Sequence, residues 1–459
     1  MKITIQVPQR LPEIDWICSV IFGDFLGLDF VLIPAPVLAL KLLACGRSLE
    51  MPDVFFAQAY AAGPGPRVLP TTPLGMWDSR SCSLMPVMEA AQVPVLFGNS
   101  ARSTLVSANH VYLPLDIIGS AFFMLSRYEE RGSDERDEHG RFPDAASLAC
   151  RANFAHRPIV DEYVEILWSA IAHLWPDLRR RVRRSCPRIS CDVDLPFDPA
   201  AASLLRLGKR LLGSTWRLRS LRAAPTLVHN FLRQSRGDDS QDPYRTAIDW
   251  MMALNRDAGN RMAFNIIPLN TDRRFDRSAG LDEPRMRALI RSIHRAGHEI
   301  GIHPGYNTYR HPNEFARSVA TLRSAMLEEE IVQPELGGRQ HYLRWQTPTT
   351  AQLWEENGLD YDSSLSFSER PGFRCGTSHE YRMYDLALRR PLRLRQRPLI
   401  TMEIIRYQGK EYQLPSHQIA CQLKTSCARY NGNFSMLWHN SYFELPESAE
   451  LYRAIISDK

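Results

Sequence analysis

Residues 282–304 read DEPRMRALIRSIHRAGHEIGIHP, and this stretch decides the fold. Residues 282–296 carry apolar positions at helical spacing, Gly297 is a helix stop, and 299–303 reads as a strand. A helix that stops at glycine and runs at once into a short apolar strand is the repeating element of a parallel α/β architecture. The strand also delivers His303 to its C-terminal end, where parallel folds gather their chemistry.

The same alternation extends on both sides. Upstream, a strand is predicted over 188–194, a helix over 242–259 and a strand over 263–268. Downstream, the pattern gives a helix over 312–329, a strand over 341–345 and a helix over 349–357. Strands at 399–405 and 434–439 flank a helix near 416–430. Repeated βα units of this length predict a parallel barrel or an open parallel sheet. Strand ends then single out Asp192, Asp194, His303, Arg344 and His439.

The first 175 or so residues read as a separate, smaller α/β unit, with a strand at 3–7 and amphipathic helices at 116–131 and 161–174. Between the two halves lies LRRRVRRSCPR (178–188), with six arginines and a proline, and this predicts a boundary. The expected domains are therefore 1–177, a basic linker at 178–187, and 188–459.

Bulk properties set limits. A chain of 459 residues has room for two domains, and 44% hydrophobic content is enough to fill their cores. The apolar run 16–37 is broken by Asp24 and Asp29 and lacks a basic leader, so it is read as core and not as a signal or membrane span. Nine cysteines without regular spacing or a CxxC pair point to reduced thiols and a cytoplasmic location. A net charge of +5 and the lack of a reading module argue against nucleic acid as a partner. Residues 204–236 hold eight Lys/Arg and no acid. This run is read as a solvated excursion over the barrel, with peripheral contact at the inner face of the membrane as the alternative.

The chemistry-bearing segments are few. In SCDVD (190–194) the strand alternation puts Asp192 and Asp194 on one face. Two adjacent like charges repel unless a cation or a shared proton relieves them; aspartates capping a loop are the competing reading. GHEIGIH (297–303) offers His303 as a metal ligand, whereas His298, at the opposite strand end, is expected to hydrogen-bond a turn. Arg344, in LRWQTP (343–348), could hold a carboxylate ionised. His439, in LWHN (437–440), could serve as a general acid or be a satisfied half-buried histidine.

Taken in order, SCDVD, GHEIGIH, LRWQTP, GLDYDSS (358–364) and LWHN resemble the motifs of the polysaccharide deacetylase family, the NodB-homology domain of carbohydrate esterase family four. The resemblance covers about 270 residues. The first 175 or so, chiefly 116–131 and 157–167, resemble an uncharacterised domain that precedes such deacetylases in envelope-polysaccharide proteins. The family resemblance implies a distorted parallel (β/α) barrel and a hydrolase that removes the N-acetyl group of a sugar in surface polysaccharide or glycoconjugate synthesis. It implies Asp192 as general base, Arg344 as its orienting partner, and His439 as the acid that protonates the leaving amine. Asp194 and His303 would bind a divalent metal, zinc first, with other divalent ions open. The family places a second histidine four residues after the first; here that residue is Asn307, and its carbonyl, or water, is expected as third ligand ahead of His311. An N-acetylated sugar, polysaccharide or lipid-linked precursor is the implied partner. Two other readings stay open: a relative without activity that binds glycan or lipid-linked precursor, and an amidohydrolase acting on a non-sugar amide.

Overall fold

The sheet that carries the site is built around Pro187–Val193, a strand buried from Ile189 onward. Ala263–Ile266 pairs with it in parallel on one side and Phe434–Leu437 on the other. The computed structural model describes residues 1–62, 67–199, 238–403, 417–444 and 446–457, with short pieces within 204–233 and at 405–406 and 412–413. Among the described residues this sheet has nine strands. Their spatial order is Tyr381–Asp385, Arg390–Gln396, Tyr361–Asp362, Gly337–Gly338, Glu299–Ile302, Ala263–Ile266, Pro187–Val193, Phe434–Leu437 and Thr401–Met402. All neighbours are parallel except the Tyr381–Asp385 edge.

Fully buried parallel strands need helices on their faces, and local signals define those helices. Pro243–Asp257 starts at Asp242, whose carboxylate accepts from the Tyr244 and Arg245 N–H groups, with proline in the first turn. Pro284–Arg295 is followed by Gly297 at φ +83°, the left-handed residue that lets the chain turn into the Glu299–Ile302 strand. Most sequence-predicted elements hold with small shifts at their ends. The helix predicted over 116–131 ends at Leu125, with a 3₁₀ turn at Tyr128–Glu130 after left-handed Arg127, and the strand predicted over 399–405 is in this sheet only Thr401–Met402. One prediction fails outright. Residues 341–345 are not a strand: His341–Leu343 is a 3₁₀ turn, and the strand here is the two-residue Gly337–Gly338. The architecture is mixed α/β with a parallel sheet, and among the described residues no pairing joins Thr401–Met402 to Tyr381–Asp385.

The N-terminal region forms a six-stranded mixed sheet in the order Phe30–Pro34, Ile3–Val7, Ala39–Ala44, Arg47–Pro52, His110–Tyr112, Leu105–Val106. Ile117–Leu125 and Ile159–Leu174 are its well-buried helices. Residues 16–37 contribute Trp16, Ile17, Val20, Ile21 and Phe22 to the core, and no described helix is long and apolar enough to cross a membrane. Among the described residues no disulfide joins any of the cysteines. The two regions share one continuous apolar core. Trp16 packs its ring 5.0 Å from Tyr384 and donates to the Arg382 carbonyl. Asp161 accepts from Ser378 N–H at 2.9 Å, and Arg374 reaches across to Glu130 at 2.7 Å. The basic run 204–236 lies mostly outside the described residues.

Candidate metal and acid–base centre

The C-terminal strand ends converge on a cleft of about 190 Å³. Asp192 is the penultimate residue of its strand and is buried; Asp194 follows the strand and is partly exposed. His303 follows Glu299–Ile302, and its own N–H continues the ladder to the Ile266 carbonyl at 2.8 Å. His439 lies two residues past Phe434–Leu437. The structure thus brings Asp192, Asp194, His303 and His439 to one cleft.

A third imidazole joins them. His341, which the sequence reading had placed inside a strand, opens the 3₁₀ turn and faces Asp194 from 3.5 Å. His303 Nε2 approaches the other Asp194 oxygen at 3.2 Å. Asp194, His303 and His341 each offer a ligand atom, and these atoms lie within 4.8 Å of one another. The second nitrogen of each ring is tied down. His303 Nδ1 bonds the Arg339 carbonyl at 2.5 Å, and His341 Nδ1 bonds Asp276 at 2.6 Å. In the neutral ring each bond fixes the tautomer whose Nε2 lone pair points inward, the arrangement that metal-ligating histidines require. Asp194 Oδ1 and His303 Nε2 are moreover buried polar atoms without a hydrogen-bond partner, a costly condition that a bound cation relieves. Two imidazoles and one carboxylate fit a divalent transition metal with open coordination positions.

Asn307 is not in this group. Its side-chain amide donates to the Thr271 carbonyl and its backbone N–H to the Thr271 hydroxyl, which anchors the loop. The third-ligand position expected of Asn307 is occupied by an imidazole from another loop. His311 is exposed at the start of the Pro312–Glu328 helix. His298 accepts from Met262 N–H and contacts the Met252 carbonyl, the structural role expected of it.

Arg344 also departs from expectation. Its guanidinium donates to the carbonyls of His139 and Tyr306 and lies over the Tyr306 and Tyr309 rings. The arginine on Asp192 is Arg339, donating from Nη1 to Oδ1 at 2.7 Å. Asn265 donates to the same oxygen at 2.6 Å. Gly301 makes room for this contact, since a Cβ there would sit 2.0 Å from Asn265 Oδ1. Asp192 Oδ2 lies 3.7 Å from His303 Nε2.

Electrostatics follow from these contacts. Burial disfavours ionising either aspartate. Arg339 at Asp192 and His341 at Asp194 outweigh it, and both carboxyls are held below the usual range. Burial likewise opposes charge on His439, but Glu403, bonded to its Nδ1, and Asp194 overcome it and push its pKa up to about 10. A carboxylate held ionised and an imidazole held protonated, on either side of a candidate cation position, are a matched base and acid.

Comparison with known proteins adds little at the site itself. A family model described only as a family of unknown function, DUF7033, matches residues 3–176. No curated protein matches the chain. Among solved structures, a protein from Mycobacterium smegmatis provisionally assigned as a polysaccharide deacetylase is similar. It is 16% identical, covering 62% of this chain and 85% of that one, with a TM-score of 0.37. At that score the likeness carries no weight in the reading of the site.

Proposed function

We propose that this chain is a metal-dependent hydrolase that removes the N-acetyl group of a sugar in surface polysaccharide or glycoconjugate synthesis. The observation that carries the proposal is the set of inward-facing Nε2 atoms of His303 and His341 beside Asp194, flanked by Asp192 and His439. A divalent cation there, zinc in this reading, would supply Lewis acidity at the acetamide oxygen. Asp192 is the general base, with Oδ1 committed to Arg339 and Asn265 and Oδ2 left to accept a proton from the attacking water. His439 is the general acid, its Nδ1 held by Glu403 so that Nε2 faces the leaving amine. In this reading residues 188–459 form a distorted parallel barrel that carries the chemistry, and residues 1–177 form a region packed against it.

Asn307, standing where the family places a second histidine, would by itself favour a non-catalytic, glycan-binding relative. His341 weighs against that, because in this reading the chain supplies its second imidazole from a different loop. The experiment is turnover of N-acetylated hexosamines by the full chain and by Asp192→Asn. Turnover in the wild type and its loss in the variant, with metal content unchanged, supports the reading; near-normal turnover in Asp192→Asn means the base is misassigned.

A further inference from the structure

Tyr342 and Leu343 line the cleft, and both adopt left-handed backbone, at φ +59° and +55°. Two consecutive non-glycine residues in that region are rare and unfavourable for L side chains. Such strain persists only where surrounding contacts over-determine it, and it concentrates at functional sites. It is sited here immediately after His341, and it holds the Tyr342 ring 4.8 Å from the His341 ring and about one-third exposed, at 36%.

The Phe275 and Tyr306 rings pack on this elbow from its own side, and further contacts come from the N-terminal region. Residues 137–141 form a tight turn. The Asp137 carboxylate accepts from the N–H groups of His139 and Arg141, both at 2.9 Å, and from Arg141 Nε at 2.6 Å. Gly140 takes φ +73° within the turn. Arg141, fixed in this way, donates from Nη1 to the Tyr342 carbonyl at 3.1 Å. The His139 ring packs 4.6 Å from the Tyr342 ring, and its carbonyl receives Arg344 Nε at 2.7 Å. Arg344 is therefore a tether between the regions, which explains why it is not at Asp192. His139 and Arg141 themselves line the cleft.

We propose that Tyr342 is an aromatic platform for the apolar face of a pyranose ring, and that the 137–141 turn holds it there, making the N-terminal region part of the substrate site. The proposal rests on the reading of the site as a sugar N-deacetylase. A pyranose presents a C–H face that packs on an aromatic ring and a hydroxyl rim that needs donors and acceptors. Tyr342 meets the first need. The Arg141 guanidinium and His139 imidazole, beside it, meet the second. A cleft of about 190 Å³ suits one sugar residue at the site.

The left-handed backbone supplies an unusual control. Glycine is at ease at φ +59°, so Tyr342→Gly removes the ring while relieving the backbone. The test uses the full chain: wild type, Tyr342→Gly, Tyr342→Phe and Arg141→Ala. Melting temperature, metal per chain, titration-calorimetric binding of N-acetylglucosamine, and the KM and kcat for an N-acetylated substrate are read for each. In Tyr342→Gly the backbone relief offsets part of the lost ring packing, so the variant should stay folded at the assay temperature, keep its metal, and bind N-acetylglucosamine about 10-fold more weakly. KM should rise with it and kcat stay within about threefold. Tyr342→Phe, which keeps the ring, should bind more tightly than Tyr342→Gly, and Arg141→Ala should weaken binding in the same direction. Unchanged binding in Tyr342→Gly, or a fall in melting temperature that accounts for the loss, would overturn the platform while leaving the hydrolase reading intact. A wild type that holds metal but binds no N-acetylated sugar would overturn both the platform and the sugar assignment. A wild type that holds no metal would overturn the hydrolase reading, and sugar binding in it would still decide the platform.

Discussion

Arg339 and Asp192 are joined by a 2.7 Å contact between Nη1 and Oδ1, with both side chains buried. The same guanidinium gives Nη2 to Ser190 and Nε to the Ser363 carbonyl, so it is fixed at two points besides the carboxylate. Its backbone carbonyl holds His303 Nδ1. One residue therefore orients the candidate base with its side chain and a candidate metal ligand with its main chain.

Arg339→Ala leaves a buried carboxylate without its cation. A broken buried pair of this kind costs about 3–5 kcal/mol. Chemical denaturation should show that loss, and turnover should fall at least about 100-fold. Arg344→Ala should leave the Asp192 pairing in place and reduce kcat far less than Arg339→Ala does. The reverse order of effect on kcat would restore Arg344 to the role its motif suggested.

Gly301→Ala tests the support of Asp192 from the other side. The added methyl would meet Asn265 Oδ1 and lies 3.3 Å from the Gly337 carbonyl, so Asn265 must move. The expectation is a drop in kcat of about tenfold or more with metal content unchanged. Asn265→Ala should show a similar kcat loss. A Gly301→Ala enzyme with wild-type kcat would mean that the Asn265–Asp192 contact has no catalytic consequence.

Much of this arrangement is legible in the sequence, and the misreadings have physical causes. SCDVD and GHEIGIH announce themselves because apolar alternation locates the strand ends at Asp192 and His303. Gly337–Gly338 announces nothing: two glycines carry no hydrophobic period. The apolar pattern therefore predicts the strand over 341–345, and its chemistry falls on Arg344 instead of Arg339 and His341. The strand also requires those glycines, since a Cβ on Gly338 would lie 1.9 Å from the Ile302 carbonyl. A pair of glycines followed closely by Arg and His was the available signal. Asn265 and Glu403 were missed for a different reason: each is a lone polar residue in an apolar stretch, which local pattern alone does not mark as functional.

Asp276 has no chemical role of its own and should matter through His341. Its carboxylate bonds His341 Nδ1 and also gathers N–H groups of Thr271, Asp272 and Tyr306. Asp276→Asn should weaken metal affinity about 10- to 100-fold, the usual effect of removing a ligand's hydrogen-bond partner. Competition with a chromogenic chelator measures it; unchanged affinity would mean that His341 is not a ligand.

His379 predicts an acid limb in stability. Burial, aided by the Arg183 charge, drives its pKa down to about 3, against about 6.5 in an unfolded chain. Between those values the unfolded state binds a proton that the folded state does not. Stability is then fully present above about pH 6.5 and falls as pH drops toward 3, by up to about 1.4 kcal/mol per pH unit. Urea titrations across this range should show a shallower slope for His379→Gln than for wild type. Equal slopes would mean that His379 takes up its proton while folded.

The most direct test of the account is the metal content of wild type, His341→Ala and Asn307→Ala, purified without chelator and measured by elemental analysis. The account predicts about one divalent ion per chain in wild type and in Asn307→Ala, and its loss in His341→Ala. Metal retained in His341→Ala and lost in Asn307→Ala, or absent from all three after soaking with zinc, would contradict it.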